Sequence, residues 1–172
     1  TTVHSDYRLD YLHNILKMFS FGIINMAALR FVDYYIGVSG KFRQMLIERG
    51  FPTERIFTAY NGIPFDDYIP PCPRAEFEEK YHLSIPEEDV VVGILARFHP
   101  VKDLPTLIKA AAIVLKKHPN VTFLIGGDGS ERKNLVKLTH VLGIQGKVLF
   151  PGWFEGPFEF MQNIDINMLT SL

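Results

Sequence analysis

Apolar residues along the chain change between unbroken runs and stripes that recur every three to four positions, and that change predicts the elements. Val90 to Leu95, VVVGIL, is a nearly continuous apolar run rich in β-branched residues, the composition of a parallel strand covered on both faces. Arg97 breaks the run, Pro100 forces an extended or turn conformation on His99, and a helical stripe begins near Leu104 with Leu107, Ile108, Ala111, Ala112 and Leu115. The order then repeats. Val121 to Ile125 is a strand, and Gly126-Gly127-Asp128-Gly129-Ser130 turns into a helix carrying Leu135, Leu138 and Leu142, which Gly143 stops. Lys147 to Phe150 is a third strand, Pro157 to Gln162 a short helix and Ile164 to Leu169 a fourth strand. This β-α-β-α-β-α-β order predicts an α/β fold, a Rossmann-like doubly wound sheet of parallel strands joined by right-handed crossovers.

The earlier part of the chain is patterned differently. Thr1 to Val3 reads as the tail of a strand, with His4 in the loop at its carboxyl end. Leu9 to Phe31 has helical spacing, with Leu12, Ile15, Leu16, Phe19 and Ile23 on one broad face. It is expected to pack in a core, the alternative being an amphipathic surface touching a membrane. Tyr34 to Val38 is a short strand, Ser39 an N-cap for a helix from Lys41 to Glu48, and Gly50 its end. Arg55 to Tyr60 is another strand, followed by an Asn61-Gly62 turn. Pro64, Pro70, Pro71 and Pro73 crowd the next stretch, a linker composition, and a brief helix runs from Arg74 to Tyr81. The expected organisation is therefore a domain over 1–68, a linker with a short helix over 69–88 and a second domain over 89–172.

Composition narrows the function classes. With 172 residues, 47% apolar and 13% aromatic, the chain can bury a real core. Its net charge of -1 provides no global basic field, so nucleic acid is not an expected partner. The single cysteine, Cys72, cannot form an internal disulfide, and no Cys/His cluster has zinc-ligand spacing, so a reduced, metal-free interior in the cytoplasm is the expectation. Met18 to Leu29 is too short and too polar to span a bilayer, and no signal-peptide pattern is present.

Candidate chemistry gathers after the Val90 to Leu95 strand. In an open parallel sheet ligands sit beyond the carboxyl ends of the strands, which places Arg97 and Lys102 beside a helix N-terminus where two positive charges suit a diphosphate. Surface charges flanking a loop are the plainer reading. The turn at Gly127, Asp128 and Gly129 brings backbone N–H groups to the same edge, although GGDGS is not GxGxxG and a tight turn explains it equally well. The absence of GxGxxG after Leu95 and Ile125 weakens a dinucleotide oxidoreductase domain.

Taken in order, YNGI at 60–63, GILARFHPVKDLPTLIKAAAIV at 93–114, VTFLIGGDGSERKNL, KVLFPGW and DINMLTSL resemble the retaining glycosyltransferases of family 4, two-domain enzymes of the GT-B type. The resemblance implies transfer of a hexose-type sugar from a nucleoside-diphosphate sugar to an acceptor such as a surface polysaccharide or lipid-linked glycan. It puts Arg97 and Lys102 on the donor phosphates, His4 against the transferred sugar as a positioning group, and Trp153 and Phe154 near the nucleobase. No cofactor or metal is implied, since the two cations can neutralise the leaving group. The family's usual acidic residue is Pro64 here. The family's glycine-rich loop and Glu-x7-Glu element are not found, so a fragment of both domains is expected, inactive by itself and self-associating through an open sheet edge. Peripheral contact with the inner membrane face is expected of the full-length enzyme. A non-catalytic nucleotide-binding or protein-interaction module is the alternative from another class.

Overall fold

A computed structural model describes residues 1–3, 23–25, 27–62, 70–154 and 156–171. The chain divides into two units, Thr1–Asp67 and Tyr68–Leu172. In the first, strands β1 (Thr2–Val3), β2 (Tyr35–Gly37) and β3 (Ile56–Thr58) form a parallel sheet in that order. Helix α1 (Gly40–Glu48) follows β2, and Ser39 caps it by accepting a hydrogen bond from the Phe42 amide at 3.3 Å, as the sequence leads one to expect. Val3, Tyr35, Leu46, Phe51 and Ile56 make the core of this unit. Residues 23–25 and 27–29 are helical; of the stripe expected to pack in a core, Leu12, Ile15, Leu16 and Phe19 lie outside the described residues, Ile23, Ile24 and Phe31 are exposed, and Leu29 packs against the core while its carbonyl accepts the Tyr35 hydroxyl at 2.5 Å.

The second unit contains α2 (Arg74–Tyr81), β4 (Val90–Leu95), α3 (Leu104–Leu115), β5 (Val121–Gly126), α4 (Arg132–Val141), β6 (Val148–Gly152), α5 (Pro157–Gln162) and β7 (Ile166–Asn167). Its four strands are all parallel, in the order β6-β5-β4-β7. The chain steps outward from β4 to β5 to β6 and then crosses back to lay β7 on the other side of β4. Helices α3 and α4 share a core on one face, built from Ile94, Leu107, Ile108, Ile125 and Leu135. Phe77 of α2 and Phe160 of α5 share a second core on the other face with Val91, Leu124 and Phe154. The fold is thus the α/β doubly wound sheet that the pattern predicts.

Two expectations change in detail. The last strand is only Ile166–Asn167, so Leu169 lies beyond it and is exposed. The helix expected within a linker is part of the second unit: Phe77 is fully buried, stacked on Phe154 at 5.8 Å, and Asn163 donates its side-chain amide to the Cys72 carbonyl at 3.1 Å.

Candidate functional site

A doubly wound sheet has one place where the chain reverses its direction of travel across the strands, and there the loops diverge to leave a crevice. Here that point lies between β4 and β7. The β4 loop begins with Ala96, whose amide donates to Gly126, and the next anchor is Phe98, fully buried and edge-on to Phe150. With Phe98 pinned inward, Arg97 is left exposed. A 3-10 turn at Pro100–Lys102 follows, with His99 extended and its Nδ1 accepting from the Val101 amide. Asp103 takes a left-handed φ of 44° and delivers the chain into α3, whose N-terminus carries no side-chain cap, only Pro105 in its first turn.

The β7 loop closes the other side of the crevice. Thr170 donates its hydroxyl to the Lys102 carbonyl at 2.8 Å and so ties the segment after β7 to the segment carrying the cation. Lys102 is half-buried, and neither Arg97 nor Lys102 forms an ion pair with a described residue. Two unneutralised cations therefore stand beside an uncapped helix N-terminus at the switch point, an arrangement suited to an anion.

In the Gly127–Gly129 loop two of the amides offered to a phosphate already have partners. The Gly127 amide donates to the Gly152 carbonyl at 2.6 Å and the Gly129 amide to its neighbour's Asp128 Oδ1 at 2.7 Å, so both are occupied. Their glycine character serves close approach. A Cβ on Gly127 would lie 2.0 Å from the Ala96 carbonyl oxygen, and one on Gly129 2.4 Å from that of Phe98, at φ values of 120° and 156°. The loop is a backing plate for the Arg97 segment, reinforced by the Phe98 amide donating to the Asp128 carbonyl. Trp153, 71% exposed, stands just past β6 at the same edge, whereas Phe154 turns into the core against Phe77, Tyr81 and Phe160 and offers no face to a ligand. His4 lies outside the described residues, as do Ile63 of the YNGI motif and Pro64; Tyr60, Asn61 and Gly62 are exposed in the first unit.

Shifted ionisations lie elsewhere, in the supports. Burial pushes the Asp89 carboxyl up, but hydrogen bonds from Lys147 and Thr122 and the Lys147 charge outweigh it and hold the group below its ordinary value. Asp89 precedes β4 and so belongs to the opposite edge of the sheet. Glu159 is held below its ordinary value chiefly by the hydrogen bond from Lys80, then by that from Tyr81. Among the described residues no group of His, Cys, Asp or Glu could hold a metal ion.

The family model of glycosyl transferases group 1 matches residues 76–172, more than half of the chain. The chain belongs to that family. Among curated relatives it is 36% identical over 93 residues to the lipopolysaccharide core biosynthesis glycosyltransferase LpsE of Rhizobium meliloti, covering 54% of this chain and 26% of the relative. It is 22% identical to the O-antigen biosynthesis glycosyltransferase WclY of Escherichia coli over 99% of this chain and 46% of that protein. The solved structure of Anabaena HepE in complex with UDP and glucose superposes with a TM-score of 0.78 at 24% identity, over 99% of this chain and 45% of HepE. WaaG, a glycosyltransferase involved in lipopolysaccharide biosynthesis, gives a TM-score of 0.72 at 17% identity, over 98% of this chain and 48% of WaaG. The chain thus spans less than half the length of these relatives. The likenesses to HepE and WaaG establish the fold, that of GT-B glycosyltransferases. Within the glycosyl transferases group 1 match fall β4, the Arg97 and Lys102 loop, the glycine loop and the Thr170 contact.

Sequence reasoning missed Thr170 as the clasp of the crevice and Asn163 as the clamp on residue 72. A hydroxyl just after a strand and an asparagine just after a helix were the available signals, but neither reveals a partner some seventy to ninety residues away.

Proposed function

We propose that the chain supplies the donor-phosphate site of a cytoplasmic, retaining glycosyltransferase of family 4. The enzyme takes a hexose-type sugar from a nucleoside-diphosphate sugar to a glycan acceptor of the surface-polysaccharide or lipid-linked kind. One observation carries the reading: Arg97 and Lys102, with no ion-pair partner among the described residues, lie after β4 at the point where β7 crosses back, with the Lys102 carbonyl clasped by Thr170. The roles that LpsE and WclY bear in their names favour lipopolysaccharide core or O-antigen assembly as the setting.

Breaking the bond between the anomeric carbon and the diphosphate puts negative charge on the leaving oxygen and positive character on the sugar carbon. Arg97 presents a planar fork of donors to the first and Lys102 a point charge, while the α3 N-terminus adds its partial charge, so no divalent cation is needed. His4, at the carboxyl end of β1, is proposed to position the sugar rather than to abstract a proton, and Trp153 to meet the nucleobase.

Calorimetry with UDP, GDP, ADP and the bare nucleosides tests this. Arg97→Ala and Lys102→Ala should each weaken the preferred diphosphate by about 1 to 3 kcal/mol and its nucleoside hardly at all, as befits charge-assisted hydrogen bonds to phosphate. Chelation of divalent cations should leave the affinity unchanged. Equal losses for nucleoside and diphosphate would show that the two cations do not face phosphate.

A further inference from the structure

Two non-glycine residues among those described have a left-handed backbone, His82 at φ 52° and Asp103 at φ 44°. His82 closes α2: its amide donates to the Glu79 carbonyl at 3.3 Å and the Leu83 amide to the Glu78 carbonyl at 2.8 Å, a common helix ending. Asp103 lies at the start of a helix, in the N-cap position of α3, where an aspartate ordinarily has an extended backbone and caps with its carboxylate. Ser39 of α1 shows that ordinary geometry, with φ -154° and ψ 161° and a side chain that accepts from the Phe42 amide. Asp103, at φ 44° and ψ 44°, forgoes the cap. Its carboxylate forms no hydrogen bond or ion pair with a described residue, the adjacent Lys102 included. Two unfavourable features thus coincide at one residue, and such outliers persist only where the surrounding structure over-determines them.

What fixes Asp103 is the pair of anchors on either side of the cation loop. Phe98 and Leu104 are both buried in the α3 core, so residues 99–103 must span the gap between them. Within that span the Lys102 amide donates to the His99 carbonyl at 2.9 Å and the Asp103 amide to the Pro100 carbonyl at 3.0 Å, which closes the 3-10 turn. The Asp103 carbonyl then accepts the Thr106 amide at 3.1 Å and opens α3. The chain therefore changes direction at one residue, between a lysine whose carbonyl is clasped by Thr170 and a leucine that enters the core. Any other backbone at Asp103 would redirect one of the two.

We propose that Asp103 is a positioning residue for the donor phosphates: its left-handed corner holds the Lys102 segment at the crevice, and the stability forgone there orders that cation before the ligand arrives. The inference rests on the reading of Arg97 and Lys102 as phosphate ligands. A segment ordered in advance loses less entropy on binding, so strain at the corner returns as affinity. Aspartate suits the corner for two reasons. It is one of the few residues besides glycine that enter the left-handed region readily, and unlike glycine it leaves the backbone few other conformations to visit.

Calorimetry with UDP and uridine on the full chain, beside thermal unfolding without ligand, tests the role. Asp103→Asn removes the charge and keeps a side chain that tolerates the left-handed region, whereas Asp103→Gly removes the charge and frees the backbone. Both variants are neutral at this position, so the difference between them reads the corner and not the carboxylate. The glycine variant should bind UDP about three- to tenfold more weakly than the asparagine variant, the cost of ordering one long side chain and its loop. Its uridine affinity should be unchanged and its thermal midpoint no lower, because the strain is relieved; a merely structural role would lower midpoint and affinity together. Equal UDP affinity in the two variants, equal losses of UDP and uridine, or a lower midpoint for the glycine variant would each overturn the proposal. Arg97→Ala in the same series keeps the two claims apart. If it leaves UDP affinity intact, the phosphate reading fails and the positioning role with it, whereas a loss there beside equal Asp103 variants removes the positioning role alone.

Discussion

At the scale of single residues, the glycines of the β5 loop carry a demand that composition alone cannot express. Gly127 and Gly129 stand where a Cβ would collide with backbone oxygens of the Arg97 segment, at left-handed φ values. Gly129→Ala should therefore destabilise the unit by about 1–3 kcal/mol in urea denaturation and weaken diphosphate binding through the displaced β4 loop. An alanine variant with native stability and affinity would show that the loops have room to part. Thr170→Val removes the hydroxyl bonded to the Lys102 carbonyl at 2.8 Å. It should reduce diphosphate affinity while Thr170→Ser retains it, which calorimetry on the pair would read. The position of Arg97 and Lys102, after β4 and before α3, was legible in the sequence because an apolar β-branched run followed by a helical stripe reads as a strand, a loop and a crossover helix. Phe154 was not, because an aromatic after a strand can face either way, and its stacking partner Phe77 sits on a helix far back in the sequence, with Phe160 of the following helix closing on its edge.

At the scale of elements, the stripes of the second unit translated almost directly into helices and strands, since each crossover there is short and each run has a single period. The first unit was less legible. At the described end of the Leu9 to Phe31 stripe, Ile23, Ile24 and Phe31 are exposed where the spacing predicts burial, because hydrophobic spacing specifies only that a face exists. The proline-rich stretch was misleading for a related reason: prolines break helices and strands without saying whether the extended chain between them packs. Here Gln162 accepts the Cys72 amide at 2.7 Å and Asn163 holds the Cys72 carbonyl, fastening that stretch to the end of α5. Asn163 is buried and bonds the Glu159 carbonyl as well. Asn163→Ala should cost about 1–3 kcal/mol by leaving buried polar groups unpaired, and hydrogen exchange should quicken across α2.

At the scale of the whole molecule, the second unit carries a buried carboxylate cluster that acid should loosen. The Asp89 cluster ties the entry of β4 to Thr122 of β5 and to Lys147 before β6, all in the second unit. Its carboxyl is depressed in the folded state, so its contribution is fully present above the ordinary carboxylate range and is lost as pH falls through and below it. Acid titration followed by hydrogen exchange should weaken protection in β4 and β5, and Asp89→Asn should remove that pH dependence. The same topology sets the proposed donor site: one reversal of direction, between β4 and β7, brings the loops bearing Arg97, Lys102 and Thr170 together. Backbone amide shift mapping during titration with UDP tests this most directly. Perturbations should concentrate in residues 96–103 and 168–171, with Trp153 affected and the Asp89 and Lys147 edge silent. Shifts centred on that opposite edge, or spread without focus over the surface, would contradict it.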